Sequence, residues 1–273
     1  MRFSTVVVLA VAGQHVPSAL LGAVAGLFGL LVGSFLNVVI ARVPDGRSIL
    51  RPPSACPRCG HELAPWENIP VVSWLLLRAR CHGCGLPISA RYPAIEVLDA
   101  LLWAGLAVRV GWHPQLAAVL FLAAASVALM AIDIEHLRLP NPIVFTTQIA
   151  VAVLLVFAAV ESHQLDRLAT VAGGAALMSG VLLAIHVISP RGMGFGDVKY
   201  AVALGAVLGW YGMARVGLGL FLSFLAGAVV GTVVLIVRGR SKPFPFGPSL
   251  AVGTFVAISW GQPIIDWYRG LSN

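Results

Sequence analysis

A chain of 273 residues that is 59% hydrophobic and 11% charged falls well below the roughly 25% charge of soluble domains. It reads as an all-α, polytopic membrane bundle, which excludes a soluble globular domain. The formal net charge of +7 does not indicate nucleic acid, because basic residues in such a chain set membrane orientation.

The chain begins with Arg2 and a short apolar run ending at Ala12. This reads as a weak signal peptide or as an N-terminal extension over residues 1–17. Apolar runs then follow at 18–41, 94–110, 115–133, 142–160, 168–189, 198–212, 216–237 and 249–265. A spanning helix needs about 20 such residues, so about eight transmembrane helices are expected. The run at 198–212 is short, and short segments often border functional sites in membranes. The domain plan is an extension (1–17), a first span (18–41), a polar loop (42–93) and a membrane core (94–273).

Eight spans put both termini on one side, and lysine and arginine decide which. Thirteen basic residues fall on one face: Arg42, Arg47, Arg51, Arg58, Arg78, Arg80, Arg91, Arg138, Arg191, Lys199, Arg238, Arg240 and Lys242. The other face has Arg2, Arg109, Arg167, Arg215 and Arg269. The bias predicts external termini and a cytoplasmic loop over 43–93. Gly173, Gly174, Ala175 and Gly180, with Gly227 and Gly231, suit close helix packing, although membrane-helix composition accounts for any one of them. The seven tryptophans read mostly as interfacial anchors.

The loop carries Cys56-Pro57-Arg58-Cys59 and Cys81-His82-Gly83-Cys84, with 21 residues between the pairs. Two CxxC knuckles supply four thiolates for a tetrahedral ion, so Cys56, Cys59, Cys81 and Cys84 are the candidate ligands of a structural zinc. A redox dithiol pair and two disulfides are the alternatives. His61 and His82 are spare donors. The apolar stretch from Ile69 to Leu77 is expected against the membrane or the bundle.

Most of the 11 acids read as solvated charges: Asp45, Glu62 and Glu67 in the loop, and Glu161, Asp166 and Asp266 outside. Glu96 and Asp99, one turn apart, suggest a structural pair for Arg91 or a neighbouring helix, or support for a site. Glu135 and His136 lie just past Asp133. Asp133 and Asp197 remain, at the cytoplasmic ends of the third and sixth spans. An ionisable group there is expensive and signals function. Asp197 lies among Gly192, Gly194 and Gly196, read here as a source of positive-φ freedom and close backbone approach. If the two acids meet, one holds a proton and the other activates water, as in aspartyl proteases. An ion or proton pathway is the rival use, and a proton-coupled transporter the rival function.

Gly192-Met193-Gly194-Phe195-Gly196-Asp197-Val198-Lys199 resembles the GxGD signature of type IV prepilin peptidases. The resemblance extends to Gly33-Ser34-Phe35-Leu36-Asn37, the paired CxxC knuckles, Ile69-Pro70 through Trp74, Arg91-Tyr92-Pro93-Ala94-Ile95-Glu96, Ile132-Asp133 through Leu139-Pro140, and Pro245-Phe246-Gly247-Pro248. Presenilin-like intramembrane proteases share GxGD alone and are the nearer alternative. The resemblance implies a bacterial inner-membrane endopeptidase that removes the basic leader of type IV prepilins or pseudopilins at a Gly-Phe junction on the cytoplasmic face. It implies Asp133 and Asp197 as the catalytic pair; Gly194, Gly196, Lys199 and Glu96 are the candidate supporting residues. It further implies N-methylation of the new terminus with S-adenosylmethionine. Asn141 departs from the family pattern, where many members carry aspartate.

Overall fold

The computed structural model describes residues 16–190, 192–238 and 244–271. The N-terminal run through Ala12, and Arg191, Arg240 and Lys242 of the charge pattern, lie outside the described residues. Helices are α1 (Ser18–Arg42), α2 (Val72–Leu76), α3 (Arg91–Val110), α4 (Leu116–His136), α5 (Asn141–Glu161), α6 (Arg167–Ile188), α7 (Phe195–Trp210), α8 (Met213–Arg238) and α9 (Gly247–Leu271). No strand forms among the described residues, only the isolated bridges Ala55–Glu62 and Arg80–Pro87.

Among the described residues, eight long helices overlie the eight anticipated runs, but only α1, α4, α5, α6 and α8 are long and apolar enough to cross a bilayer. The chain is thus an all-helical, multi-pass membrane protein. Of the others, α3 carries Glu96 and Asp99, and α7 has only 16 residues. At about 1.5 Å per residue α7 is roughly 24 Å long, short of the roughly 30 Å hydrocarbon core.

The helices sort into inner and outer positions. α4 touches α1, α3, α5, α7 and α9. Two thirds (67%) of its apolar window is buried, against 11% for α8. α7 is buried along nearly its whole length. Asp133 and Asp197 are carried by these two inner helices. Tyr200 bridges them, its hydroxyl donating to Ser126 Oγ at 2.5 Å while Ser126 donates to the Leu122 carbonyl.

Two glycine stripes let helix backbones meet. A Cβ at Gly29 would lie 2.8 Å from Ala100 Cα, and one at Gly33 2.7 Å from Glu96 Cα, so α1 lies directly on α3. Between α6 and α7, a Cβ at Gly174 would sit 2.4 Å from the Gly205 carbonyl oxygen, and one at Gly209 2.3 Å from that of Thr170. Close approach of this kind gains dispersion contacts where lipid offers no hydrophobic drive. Gly180 faces open space, whereas Gly227 and Gly231 receive the rings of Phe246 and Phe244. The tryptophans divide too. Trp112, Trp260 and Trp267 are exposed, but Trp210 packs inside the bundle beneath the Arg167 guanidinium and is no interfacial anchor.

Candidate active site and metal centre

Asp133 ends the inner part of α4 and Asp197 lies in the first turn of α7. Both are buried, at 5% and 8% exposure, and their carboxyl groups are close enough to interact electrostatically. Asp133 Oδ2 accepts the N–H of Gly247 at 3.0 Å, the first residue of α9. That N–H has no partner within its own helix, so the acid caps α9. Each carboxyl therefore faces the positive end of a helix, where negative charge is stabilised. Past Asp133, Leu137 takes a left-handed conformation (φ 52°) and turns the chain towards Pro140.

The glycines of the motif work by space alone. Gly194 has φ −68°, and neither it, Gly192 nor Gly196 occupies the left-handed region, which corrects the expectation of positive φ. A Cβ at Gly194 would lie 3.1 Å from Asp197 Oδ2, and one at Gly196 3.1 Å from Leu139 Cβ. At Gly247 it would stand 2.8 Å from Asp133 Oδ2 and 3.5 Å from Leu139 Cδ2. Leu139 thus wedges between the Gly196 and Gly247 backbones: a side chain at Gly194 or Gly247 would press on a carboxyl, and one at Gly196 on Leu139. The loop before Gly194 is pinned by His186, whose Nδ1 donates to the Met193 carbonyl at 2.7 Å and whose ring leans on Phe195. Gly247 and His186 carried no assigned role in the sequence.

The other sequence candidates take separate places. Lys199 donates to Asn141 Oδ1 at 2.5 Å and lies over the Phe145 and Phe195 rings, fastening α7 to α5. Glu96 Oε2 accepts the Val71 N–H at 2.8 Å, holding a β-branched residue at φ 60°, and so anchors the cysteine loop to α3. Arg91 pairs with Glu135 at 2.5 Å, not with Glu96 or Asp99. Neither Asp99 oxygen has a hydrogen-bond partner among the described residues. Arg138 donates to the Pro44 carbonyl, tying the turn after Asp133 to the chain just past α1.

The two CxxC segments fold alike, a repeat too short to show as sequence similarity. In the first, Cys56 N–H donates to the His61 carbonyl, Gly60 N–H to that of Cys56 and Leu63 N–H to that of Ser54. In the second, Cys81, Gly85 and Ile88 donate to Leu86, Cys81 and Ala79 with the same offsets. Gly60 and Gly85 both have positive φ, which the tight turn needs. The four sulfurs lie within 4.8 Å of one another and none is in a disulfide. Cys59 and Cys81 Sγ are 4.0 Å apart, close to the roughly 3.8 Å edge of a tetrahedron with 2.3 Å metal–sulfur bonds. The Arg58 N–H, with that of Cys59, lowers the Cys56 thiol to about 6, whereas Cys59 is pushed up to about 11, against the His61 N–H, by burial and the other three thiols. The donor set fits a metal ion. Glu67, expected in solvent, is buried: its side chain is 1% exposed, with the Ala64 N–H and then the two neighbouring imidazoles holding it below the usual carboxylate range.

Comparison with known proteins follows this division. Residues 27–110 match the model of the bacterial peptidase A24 N-terminal domain, and 119–236 that of the type IV leader peptidase family. A prepilin leader peptidase/N-methyltransferase of Aeromonas hydrophila is 37% identical over 270 residues, spanning 89% of this chain and 91% of that one. The protein of the same name in Pseudomonas aeruginosa is 37% identical over 267 residues, with 89% and 91% covered. That of Myxococcus xanthus is 44% identical over 218 residues, 80% of this chain and 64% of its own. No solved structure matches. Asp133 and Asp197 both fall in the second matched segment and the four cysteines in the first. The chain belongs to the type IV leader peptidase family.

Proposed function

We propose that the chain cuts the basic leader from type IV prepilins or pseudopilins at a Gly-Phe junction on the cytoplasmic face, using Asp133 and Asp197 as one unit. What supports this reading is that the two acids are each buried on an inner helix, each at a helix N-terminus, and close enough for Asp133 to influence Asp197 electrostatically. One carboxylate takes a proton from water, and the resulting hydroxide attacks the scissile carbonyl carbon. The other, as the acid, gives its proton to the carbonyl oxygen. Collapse of the tetrahedral species returns that proton, breaks the C–N bond and sends the water's proton to the leaving amine. The proton is shared, so the roles belong to the pair. In this reading α3, α7 and α9, too short or too polar to span alone, cross alongside the five apolar helices, and the 43–93 loop is cytoplasmic, as the charge bias predicts.

Cys56, Cys59, Cys81 and Cys84 hold a structural zinc, which with four thiolates has no open position for chemistry. Chelation should make the 43–93 segment protease-sensitive and release one thiolate-bound zinc per chain, since such ions contribute about 10 kcal/mol or more of folding energy. A loop that keeps its resistance after complete removal of zinc would refute the assignment. Methylation of the released amine is inferred from the relatives' names. A cleft of about 330 Å³ between α1 and the loop, lined by Ser34, Arg42, Ser54 and Asn68 among apolar side chains, has no carboxylate. No step is assigned there.

Sealed membrane vesicles of both orientations test the reading. A peptide carrying a basic leader and a Gly-Phe junction should be cut only by inverted vesicles, which expose the cytoplasmic face. Equal cutting by right-side-out vesicles, or cutting elsewhere in the peptide, would overturn it.

A further inference from the structure

Three donors that the four thiolates leave unused converge beside the knuckles. Glu67 sits in the short turn Pro65–Asn68, and one of its oxygens already accepts the Ala64 N–H at 2.8 Å. His61 Nε2 lies 3.0 Å from Glu67 Oε2, and His82 Nδ1 lies 3.7 Å from Oε1. The three ligand atoms fall within 4.8 Å of one another. Zinc bonds of about 2.0–2.1 Å to nitrogen and oxygen place tetrahedral neighbours about 3.4 Å apart, against 3.3 Å for His61 Nε2 and 3.7 Å for His82 Nδ1 from the one oxygen Glu67 Oε1.

The rings are held in position. A Cβ at Gly83 would stand 3.0 Å from His61 Cβ and Cγ, so the second knuckle's glycine is what admits the first knuckle's imidazole. Trp66 packs edge-on against His82 at 5.5 Å. Only the carboxylate is buried: the His61 and His82 side chains are 33% and 59% exposed, so the open side of the triad faces water. His61 follows the first CxxC, His82 lies inside the second, and Glu67 comes from the stretch between them.

We propose that His61, Glu67 and His82 form a second divalent-cation site, of the zinc class, that braces the two knuckles and keeps its fourth position open to water. Two imidazoles and one carboxylate with an open position form a donor set suited to zinc and unlike the closed tetrathiolate.

Cobalt(II) is the probe, added to the full-length protein in detergent with its zinc content measured first. Wild type should take up one further equivalent, giving weak ligand-field absorption without thiolate-to-metal charge transfer. Glu67→Gln and His82→Ala should each weaken that uptake by more than about 100-fold, the loss already typical of outer-shell partners. Thiolate-bound metal, read separately by its charge-transfer band, should stay unchanged in His82→Ala, whose exposed ring is not needed for folding. No cobalt uptake by wild type outside the thiolates would overturn the proposal and leave the triad a hydrogen-bonded brace. Undiminished uptake in both variants would overturn it equally.

Discussion

Gly205→Ala should cost the protein about 3 kcal/mol or more of stability, the upper end for overpacking, and leave little monodisperse material after extraction. The added methyl would lie 2.3 Å from the Gly174 carbonyl oxygen and 2.8 Å from its carbonyl carbon. Both obstacles are backbone on the facing helix, so no rotamer change relieves them. α6 and α7 must separate, and α7 carries Asp197. Gly180→Ala is the matched control. Nothing lies within 4 Å of its Cβ position, so the same chemical change should be neutral or stabilise by up to about 1 kcal/mol through helix propensity. Thermal unfolding in detergent compares the two. Equal midpoints would mean that the α6–α7 approach is not needed for the fold.

This pair also marks where sequence reading stops. Gly174 and Gly180 both stood out as small residues in one apolar run, yet only Gly174 meets another backbone. Partner position is a tertiary fact that composition does not carry. The helices themselves were legible because hydrocarbon length imposes long apolar runs, and the shortness of α7 was visible in the same way. Which helices lie inside was not legible: α4 and α8 are both continuous apolar runs, but α4 is enclosed and α8 faces outward.

The acids could be found because charge inside an apolar span is costly wherever it occurs. Their surroundings could not. Gly247 donates to Asp133 across 114 residues of chain, and His186 fixes the motif from the preceding helix. The burial of Glu67 was hidden by the polar stretch around it, since only the folded knuckles enclose it. For the motif glycines one of the two reasons read from the sequence stands and the other does not: the structure uses their missing side chains, not their φ range.

Asp133→Asn and Asp197→Asn should each reduce prepilin cleavage by about 10³-fold or more, and the double substitution should be scarcely worse than either single one. Groups that act as one unit lose their joint contribution at the first substitution. Asparagine keeps the size of the side chain and an oxygen that can accept the Gly247 N–H, so the cap on α9 survives while the transferable proton is lost. Glu161→Gln, an exposed change at the last residue of α5, should be silent. The decisive measurement is the initial rate of cleavage of a model prepilin in liposomes by wild type, both single variants, the double and Glu161→Gln, each shown to be folded by its unfolding midpoint. The dyad predicts three equally inactive aspartate variants beside an active control. Near-normal cleavage by either folded single variant would contradict it.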